Sequence, residues 1–216
     1  MLKERILQIA NYIGKNAKVL DIGTDHGYIP LYLLKNNITD KITATDINAK
    51  PLLQAKNILS EYKDLETLNF IKSDGFISVP DINSYNYIII AGLGGKTIEF
   101  ILKNYKDKAN LILNPTNNEG NLRKFLFENK FKIEDEKLIF ENNIYSIIIK
   151  AKKQDKNLKY NKKDLILGPI LIKKNNKLIS EYYYKKGIYY QNIFLKSKKE
   201  EHKELAKIYL SNNLVK

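Results

Sequence analysis

The chain has 216 residues, 44% of them hydrophobic, enough for one α/β domain with an ordinary core plus a smaller appendage. It carries no cysteine, which excludes a disulfide framework and a thiolate metal site. The formal net charge of +13 suggests a polyanionic partner, and it is unevenly spread: residues 1–151 hold 20 Lys+Arg against 18 Asp+Glu, residues 152–216 hold 17 against 6. Lysine and asparagine are over-used throughout and only Arg5 and Arg123 are arginines, as a codon bias would give. A uniform bias would not leave the front of the chain nearly neutral.

The opening residues, MLKERILQIANYIG, place Leu2, Ile6, Ile9, Ala10 and Ile13 on one helical face. They lack the unbroken apolar core and cleavage site of a signal peptide, and no apolar stretch approaches the ~20 residues of a membrane span. Lys18–Ile22 reads as a buried strand, Tyr28–Lys35 as a helix and Lys41–Asp46 as a second strand. A helix follows with Pro51 near its start, where the missing N–H costs nothing. Leu68–Lys72 and the β-branched Tyr85–Ala91 are the third and fourth strands, Lys96–Tyr105 a helix, Ala109–Asn114 the fifth strand and Glu119–Glu128 a helix. Phe131–Phe140 and Ile144–Lys150 form an antiparallel hairpin around Asn142–Asn143. The alternation predicts a mostly parallel sheet covered on both faces.

Residues 151–160 (AKKQDKNLKY) are polar and non-periodic, a linker between an expected front domain, 1–155, and a basic helical domain, 156–216. Leu165–Leu171, broken by Gly168–Pro169, reads as a docking turn. From Asn176 the pattern is helical. Leu178, Tyr182, Lys185, Tyr189, Ile193 and Lys196 step by about 3.6 residues, and Leu205, Ile208, Tyr209 and Leu214 form a second stripe. Two antiparallel helices joined near Lys198–Lys199 satisfy both.

The most informative stretch is Asp21-Ile22-Gly23-Thr24-Asp25-His26-Gly27-Tyr28-Ile29-Pro30, which ends the first strand and opens a helix. Glycine there lets the backbone turn tightly and approach a nucleotide-like ligand, while helix N–H groups face the site. A nicotinamide-dinucleotide fingerprint reads G-x-G-x-x-G, which Gly23-x-x-x-Gly27 does not fit. The D/E-x-G-x-G-x-G loop of S-adenosyl-L-methionine enzymes fits through Asp21, Gly23 and Gly27. Asp25 replaces its middle glycine and offers a carboxylate to the sulfonium or amino group of that cofactor. Asp46, at the end of the second strand, can accept both ribose hydroxyls of either cofactor. In Ser73-Asp74-Gly75 the Asp can bond an adenine amino group and Gly75 allows close approach.

Gly95-Lys96-Thr97 resembles the end of a phosphate-binding P-loop, but Ile90 stands where that loop requires a glycine. Gly92, Gly94 and Gly95 instead suit a flat substrate or cofactor passing close to the backbone. Asn114-Pro115-Thr116 lacks the second proline and the aromatic of the exocyclic-amine methylation loop, and follows the fifth strand rather than the fourth. His26 and His202, isolated and without cysteine, make no metal site. His26 lies in the glycine loop and is open to a site role or a structural one. Tyr182–Tyr184 and Tyr189–Tyr190, among Lys185 and Lys186, can stack on bases, although helical spacing favours packing.

In this order and spacing, DIGTDHGYIP, Asp46, SDG, IAGLGG and LILNP resemble the bacterial tRNA (adenine-22-N1)-methyltransferases over nearly the whole chain. The family typically has Ser at Thr24, Ala at Gly27, Met at Leu93 and Gln-Pro-Asn at Asn114-Pro115-Thr116, and often Glu at Asp46. The resemblance implies an α/β class I methyltransferase with a Rossmann-like seven-stranded sheet, which the seven strands and final hairpin match, and a small C-terminal α-helical coiled-coil domain. It implies methyl transfer from S-adenosyl-L-methionine to N1 of adenine 22 in the tRNA D-arm. A cytoplasmic monomer without metal or membrane is expected. Asp21, Gly23, Thr24, Gly27, Asp46, Ile47, Ser73, Asp74, Gly75, Ala91 and Gly92 are then expected at the cofactor. Asp25 is expected at the adenine amino group or the developing cation, with His26 and Tyr28 shaping or stacking the base. Gly94, Asn114, Arg123, Lys185 and Lys186 are expected at the tRNA, Arg123 and the lysines on phosphates. The alternatives are a same-fold methyltransferase acting on another RNA or a small molecule, and a non-catalytic RNA-binding protein. Intact Asp21, Gly23, Asp46 and Asp74 count against the last.

Overall fold

The computed structural model describes residues 4–60, 68–174 and 176–212. Leu2 and Leu214, expected on apolar helical faces, lie outside them. Seven strands make one sheet: β1 (Val19–Ile22), β2 (Ile42–Asp46), β3 (Leu68–Lys72), β4 (Tyr87–Ala91), β5 (Asn110–Asn114), β6 (Phe131–Glu141) and β7 (Ile144–Lys153). Their order is β3-β2-β1-β4-β5-β7-β6, with β1 to β5 parallel and the β6–β7 hairpin antiparallel to β5. The hairpin turns through Asn142 and Asn143, both with positive φ, which asparagine tolerates better than other side chains.

The central strands are apolar on both faces, as strands covered on both sides must be. Leu20, Ile88, Ile90, Leu111 and Leu113 point to one face, and Val19, Ile89 and Ile112 to the other. The second face is covered by α1 (Glu4–Ala10), α2 (Tyr28–Lys35) and α3 (Ala49–Ser60). The first is covered by α4 (Gly95–Leu102) and α5 (Glu119–Glu128), and its core continues into the C-terminal helices through Leu167, Ile179, Tyr182, Tyr183 and Tyr209.

The expected docking turn is a pair of short helices, α6 (Lys162–Leu167) and α7 (Leu171–Lys174), on either side of Gly168. Asn161 and Asp164 close a reciprocal capping box at the start of α6, a signal within a stretch that otherwise reads as linker. The long helices α8 (Lys177–Ser197) and α9 (Glu200–Leu210) turn at Lys198, which is left-handed, so the expected joint is correct. The expected packing face is not. Ile179, Tyr182, Tyr183 and Gly187 are buried, whereas Lys185 and Tyr189 face outward. Gly187 marks the true seam: a Cβ there would stand 2.6 Å from the Leu210 side chain.

Candidate functional site

Strand order reverses between β1 and β4, because the chain leaves β3 to return beside β1. A crevice opens at the carboxyl ends of strands at such a switch point. A cavity of about 410 Å³ lies there, walled by the loops after β1, β2, β3 and β4 and closed by α1. Asp21, Gly23, Thr24, Asp25 and Tyr28 line it from the first loop, Asp46 and Ile47 from the second, Ser73, Asp74 and Gly75 from the third, and Ala91 and Gly92 from the fourth.

Local geometry explains why these residue types stand here. Gly23 and Gly92 have φ of +74° and +79°, where a side chain is strained. Asp25 is left-handed at φ 51° despite its side chain, a conformation Asp tolerates and one that concentrates at functional sites. Its backbone N–H donates to Asp46 Oδ2 at 3.3 Å, and Asn48 N–H donates to Asp46 Oδ1 at 2.9 Å. The Asp46 carboxylate is thus fixed, with lone pairs left over for the cavity. Beside it Ile47 is 56% exposed, an apolar platform of the kind a purine ring covers. Asp74 is exposed on the rim. The Ser73 hydroxyl is committed to its own loop, donating to Gly75 O and accepting from Ser78 N–H.

Asp21 is buried, and its Oδ2 has no hydrogen-bond partner; neither has the buried hydroxyl of Thr24. Burial pushes the Asp21 carboxyl up to about 6. The neighbouring Thr24 hydroxyl, outside hydrogen-bonding geometry, and the Arg5 guanidinium limit the rise, and Asp46 adds to it. Orphaned buried acceptors beside a cavity fit a cationic donor in a ligand. The residues therefore suit the ammonium end of an amino-acid-bearing nucleoside.

Arg5 was not anticipated from the sequence. It is the one cation among the described residues lining the cavity, where three other walls carry carboxylates. Its Nη1 donates to Asn114 Oδ1 at 3.0 Å, while Asn114 Nδ2 donates to Ser146 Oγ and Ile147 O. Asn114, expected at the RNA, is 2% exposed with its amide committed in this way, so it orients Arg5 instead.

Other expected residues lie elsewhere. Gly27 does not line the cavity; it is left-handed, and a Cβ there would stand 2.9 Å from Ala55 Cβ, so it lets α2 pack on α3. His26 is outside the cavity as well, 3.6 Å from Asp25 and with its ring 5.6 Å from that of Tyr28. Gly95 makes room for the loop after β5: a Cβ there would meet Asn117 O at 2.7 Å. Gly94 does not line the cavity, and a Cβ there would find only ordinary contacts, the nearest at 3.5 Å. Arg123 is 1% exposed, with Nε donating to Glu136 Oε1 at 2.8 Å and Nη1 to Leu165 O at 2.9 Å. Its Nη2 is buried without a hydrogen-bond partner, so the guanidinium is anchored inside the fold rather than presented at the surface. Lys185 and Lys186 sit on α8 against aromatic rings, Lys185 over Phe140 and Tyr145 and Lys186 over Tyr182. No cluster of metal-ligating side chains occurs among the described residues, and no helix of theirs is long and apolar enough to cross a membrane.

The family model for tRNA (adenine(22)-N(1))-methyltransferase matches residues 19–216. A Mycoplasma genitalium relative provisionally named a tRNA methyltransferase is 36% identical over 175 residues, covering 79% of either chain. The Bacillus subtilis tRNA (adenine(22)-N(1))-methyltransferase is 29% identical over 183 residues, covering 81% of this chain and 76% of its own. The M. capricolum TrmK, solved with the cofactor product S-adenosyl-homocysteine, superposes with a TM-score of 0.86 at 28% identity over 99% of both chains.

Proposed function

The chain belongs to the tRNA (adenine(22)-N(1))-methyltransferase family, and on that premise we propose how its cavity holds cofactor and base. It is an S-adenosyl-L-methionine-dependent enzyme that methylates N1 of adenine 22 in tRNA. The observation that carries the binding mode is the pairing of an unpartnered buried Asp21 with Arg5, the one cation among the described lining residues. The α-amino group falls to Asp21 and Thr24, and the α-carboxylate to Arg5. Asp46 takes the ribose diol, Ile47 covers the adenine face, Asp74 meets the adenine amino group, and Gly23, Gly75, Ala91 and Gly92 let the nucleoside approach the backbone.

The bound cofactor supplies a methyl group on a sulfonium. Adenine N1 has an in-plane lone pair and needs no base to deprotonate it. The residues must hold the target ring in line and face the charge it acquires. Tyr28, half exposed at the mouth, offers a stacking face. Asp25, with a 66% exposed side chain held near His26, offers a carboxylate to the amino group and to the developing cation. His26 acts through these two. A D-arm adenine must leave its stack to reach them, at a cost of a few kcal/mol. Residues 1–155 form the cofactor unit and the basic residues 156–216 the RNA unit. The enzyme acts as a monomer in the cytoplasm, where its tRNA substrate is found.

Two measurements test the cofactor placement. Because burial raises the Asp21 pKa, the neutral form predominates in the empty protein below about pH 6. That contribution to stability is full below the ordinary value of 3.8 and is lost as pH rises past about 6. A cofactor ammonium needs the ionised form. Calorimetric affinity for S-adenosyl-L-methionine should therefore fall by up to about tenfold per pH unit below about 6, with proton release on binding near that pH. Flat affinity between pH 5 and 7 would remove Asp21 from the amino group. Arg5→Met should weaken S-adenosyl-L-methionine about 10- to 100-fold, as loss of a charge-assisted hydrogen bond does. It should leave 5′-methylthioadenosine, which lacks the amino-acid end, nearly unchanged. Equal weakening of both ligands would make Arg5 a structural residue.

A further inference from the structure

The RNA has to be held beside the cavity as well as in it, and the tip of the β6–β7 hairpin stands there. β7 pairs with β5 so that Leu113 faces Ile149. Ile144, five residues earlier on β7, therefore projects about 16 Å past that level, beyond the carboxyl edge of the sheet where the cofactor cavity opens. The tip is tied to the cavity wall through Ser146, Asn114 and Arg5, and Glu4 N–H donates to Glu141 Oε1 at 2.8 Å. On its α8-facing side Phe140 and Tyr145, paired across the hairpin, bring their rings to 4.5 Å, and Tyr145 leans on the buried Tyr182 at 5.1 Å. Lys185 lays its ammonium 5.2 Å from both the Phe140 and the Tyr145 ring centroids.

The other described lysines that sit over a ring lie over one; Lys185 lies over two. No carboxylate pairs with Lys185 among the described residues, and Phe140 is still 42% exposed, so the cluster faces solvent. A ring face attracts an ammonium without consuming its N–H donors. The cation is thereby held in one place with its donors free, on the hairpin that projects past the same carboxyl edge of the sheet, beside a site whose substrate carries a phosphate on every nucleotide. An ordinary surface lysine loses side-chain entropy on binding, and much of that loss has already been taken here.

We propose that Lys185, braced over the Phe140–Tyr145 ring pair, contacts a backbone phosphate of the RNA strand that carries the target adenine, and that Phe140 is a positioning residue acting through it. This rests on the tRNA methyltransferase reading. It differs from a general basic surface in assigning one phosphate to one lysine and in making an uncharged ring matter for RNA affinity.

The test uses the full chain, unmodified tRNA and S-adenosyl-L-methionine, with KM, kcat and the salt dependence of tRNA binding measured for the wild type, Lys185→Gln, Lys185→Arg and Phe140→Leu. Wild-type methylation of tRNA is the control for the underlying reading, so its absence would count against that reading and not against this contact alone. Lys185→Gln should raise KM for tRNA about five- to tenfold and flatten the salt slope by about 0.7–0.9, the loss of one phosphate contact. Lys185→Arg should restore the slope. Phe140→Leu keeps the charge, so KM for tRNA should rise about two- to fivefold with the slope unchanged. S-adenosyl-L-methionine affinity should be unaltered in all three, which shows each variant folded. An unchanged slope in Lys185→Gln would overturn the phosphate contact, and an unchanged KM in Phe140→Leu would overturn the brace.

Discussion

Replacing Asp46 by alanine is expected to raise the dissociation constant for S-adenosyl-L-methionine about a hundredfold while leaving tRNA affinity within about twofold. A hundredfold corresponds to about 2.7 kcal/mol, within the range for losing two charge-assisted hydrogen bonds from one carboxylate. The side chain is 8% exposed, and two backbone N–H groups, of Asp25 and Asn48, already hold it in place. Those bonds keep the carboxylate from having to order itself when the ribose arrives, which is why the effect should be large. They also mean that alanine loosens the loop of Asp25, so Asp46→Asn, which keeps one of the two acceptors for the loop, should weaken binding less. Calorimetry with cofactor and a filter-binding assay with tRNA measure the two affinities separately. Equal loss of both would refute the ribose role.

Arg123→Met should destabilise the protein by about 3–5 kcal/mol, the cost of leaving a buried charge unpaired. Glu136 is fully buried and its other oxygen accepts from the N–H groups of Ile170 at 2.9 Å and Leu171 at 3.4 Å. The Arg123–Glu136 pair thus pins the residues around Gly168 onto α5 and β6. Chemical denaturation should show most of the loss recovered in the Arg123→Met, Glu136→Leu double variant, since replacing both members of a buried pair by apolar side chains is often close to neutral. At a temperature where the single variant is folded, its tRNA salt slope should equal that of the wild type. A slope lower by about one would return Arg123 to the RNA contacts.

The two arginines show what the sequence made legible and what it hid. In a chain whose positive charge is otherwise all lysine, a retained arginine marks a place where a planar fork of donors is needed. Arg123 turns out that way, bonding Glu136 and Leu165 through two nitrogens, and Arg5 bonds Asn114 through one with the rest of its fork toward the cavity it lines. Composition held that signal, but the amphipathic pattern of α1 put Arg5 on the polar face, and polar faces are read as solvated. Tyr28–Lys35, Leu68–Lys72 and Glu119–Glu128 were readable to the residue because glycines, strand periodicity and short polar turns bound them on both sides. Asp21, Gly23, Asp25, Asp46 and Asp74 converge on one cavity because strand ends bring them there, and strand ends are legible. Gly27 and Gly95 were not, since a glycine demanded by a neighbouring element looks in sequence like one demanded by a ligand. The packing face of α8 was misplaced for a similar reason. Three consecutive tyrosines leave the helical phase ambiguous, and only the approach of α9 at Gly187 fixes it.

The most direct test is a methyl-transfer assay with purified protein, labelled S-adenosyl-L-methionine and unmodified tRNA, the product nucleoside being identified by mass spectrometry. N1-methyladenosine should form, and should disappear when adenine 22 is replaced by another base. Cofactor binding without any methylated tRNA, or methylation that persists in the position-22 variant, would contradict the account.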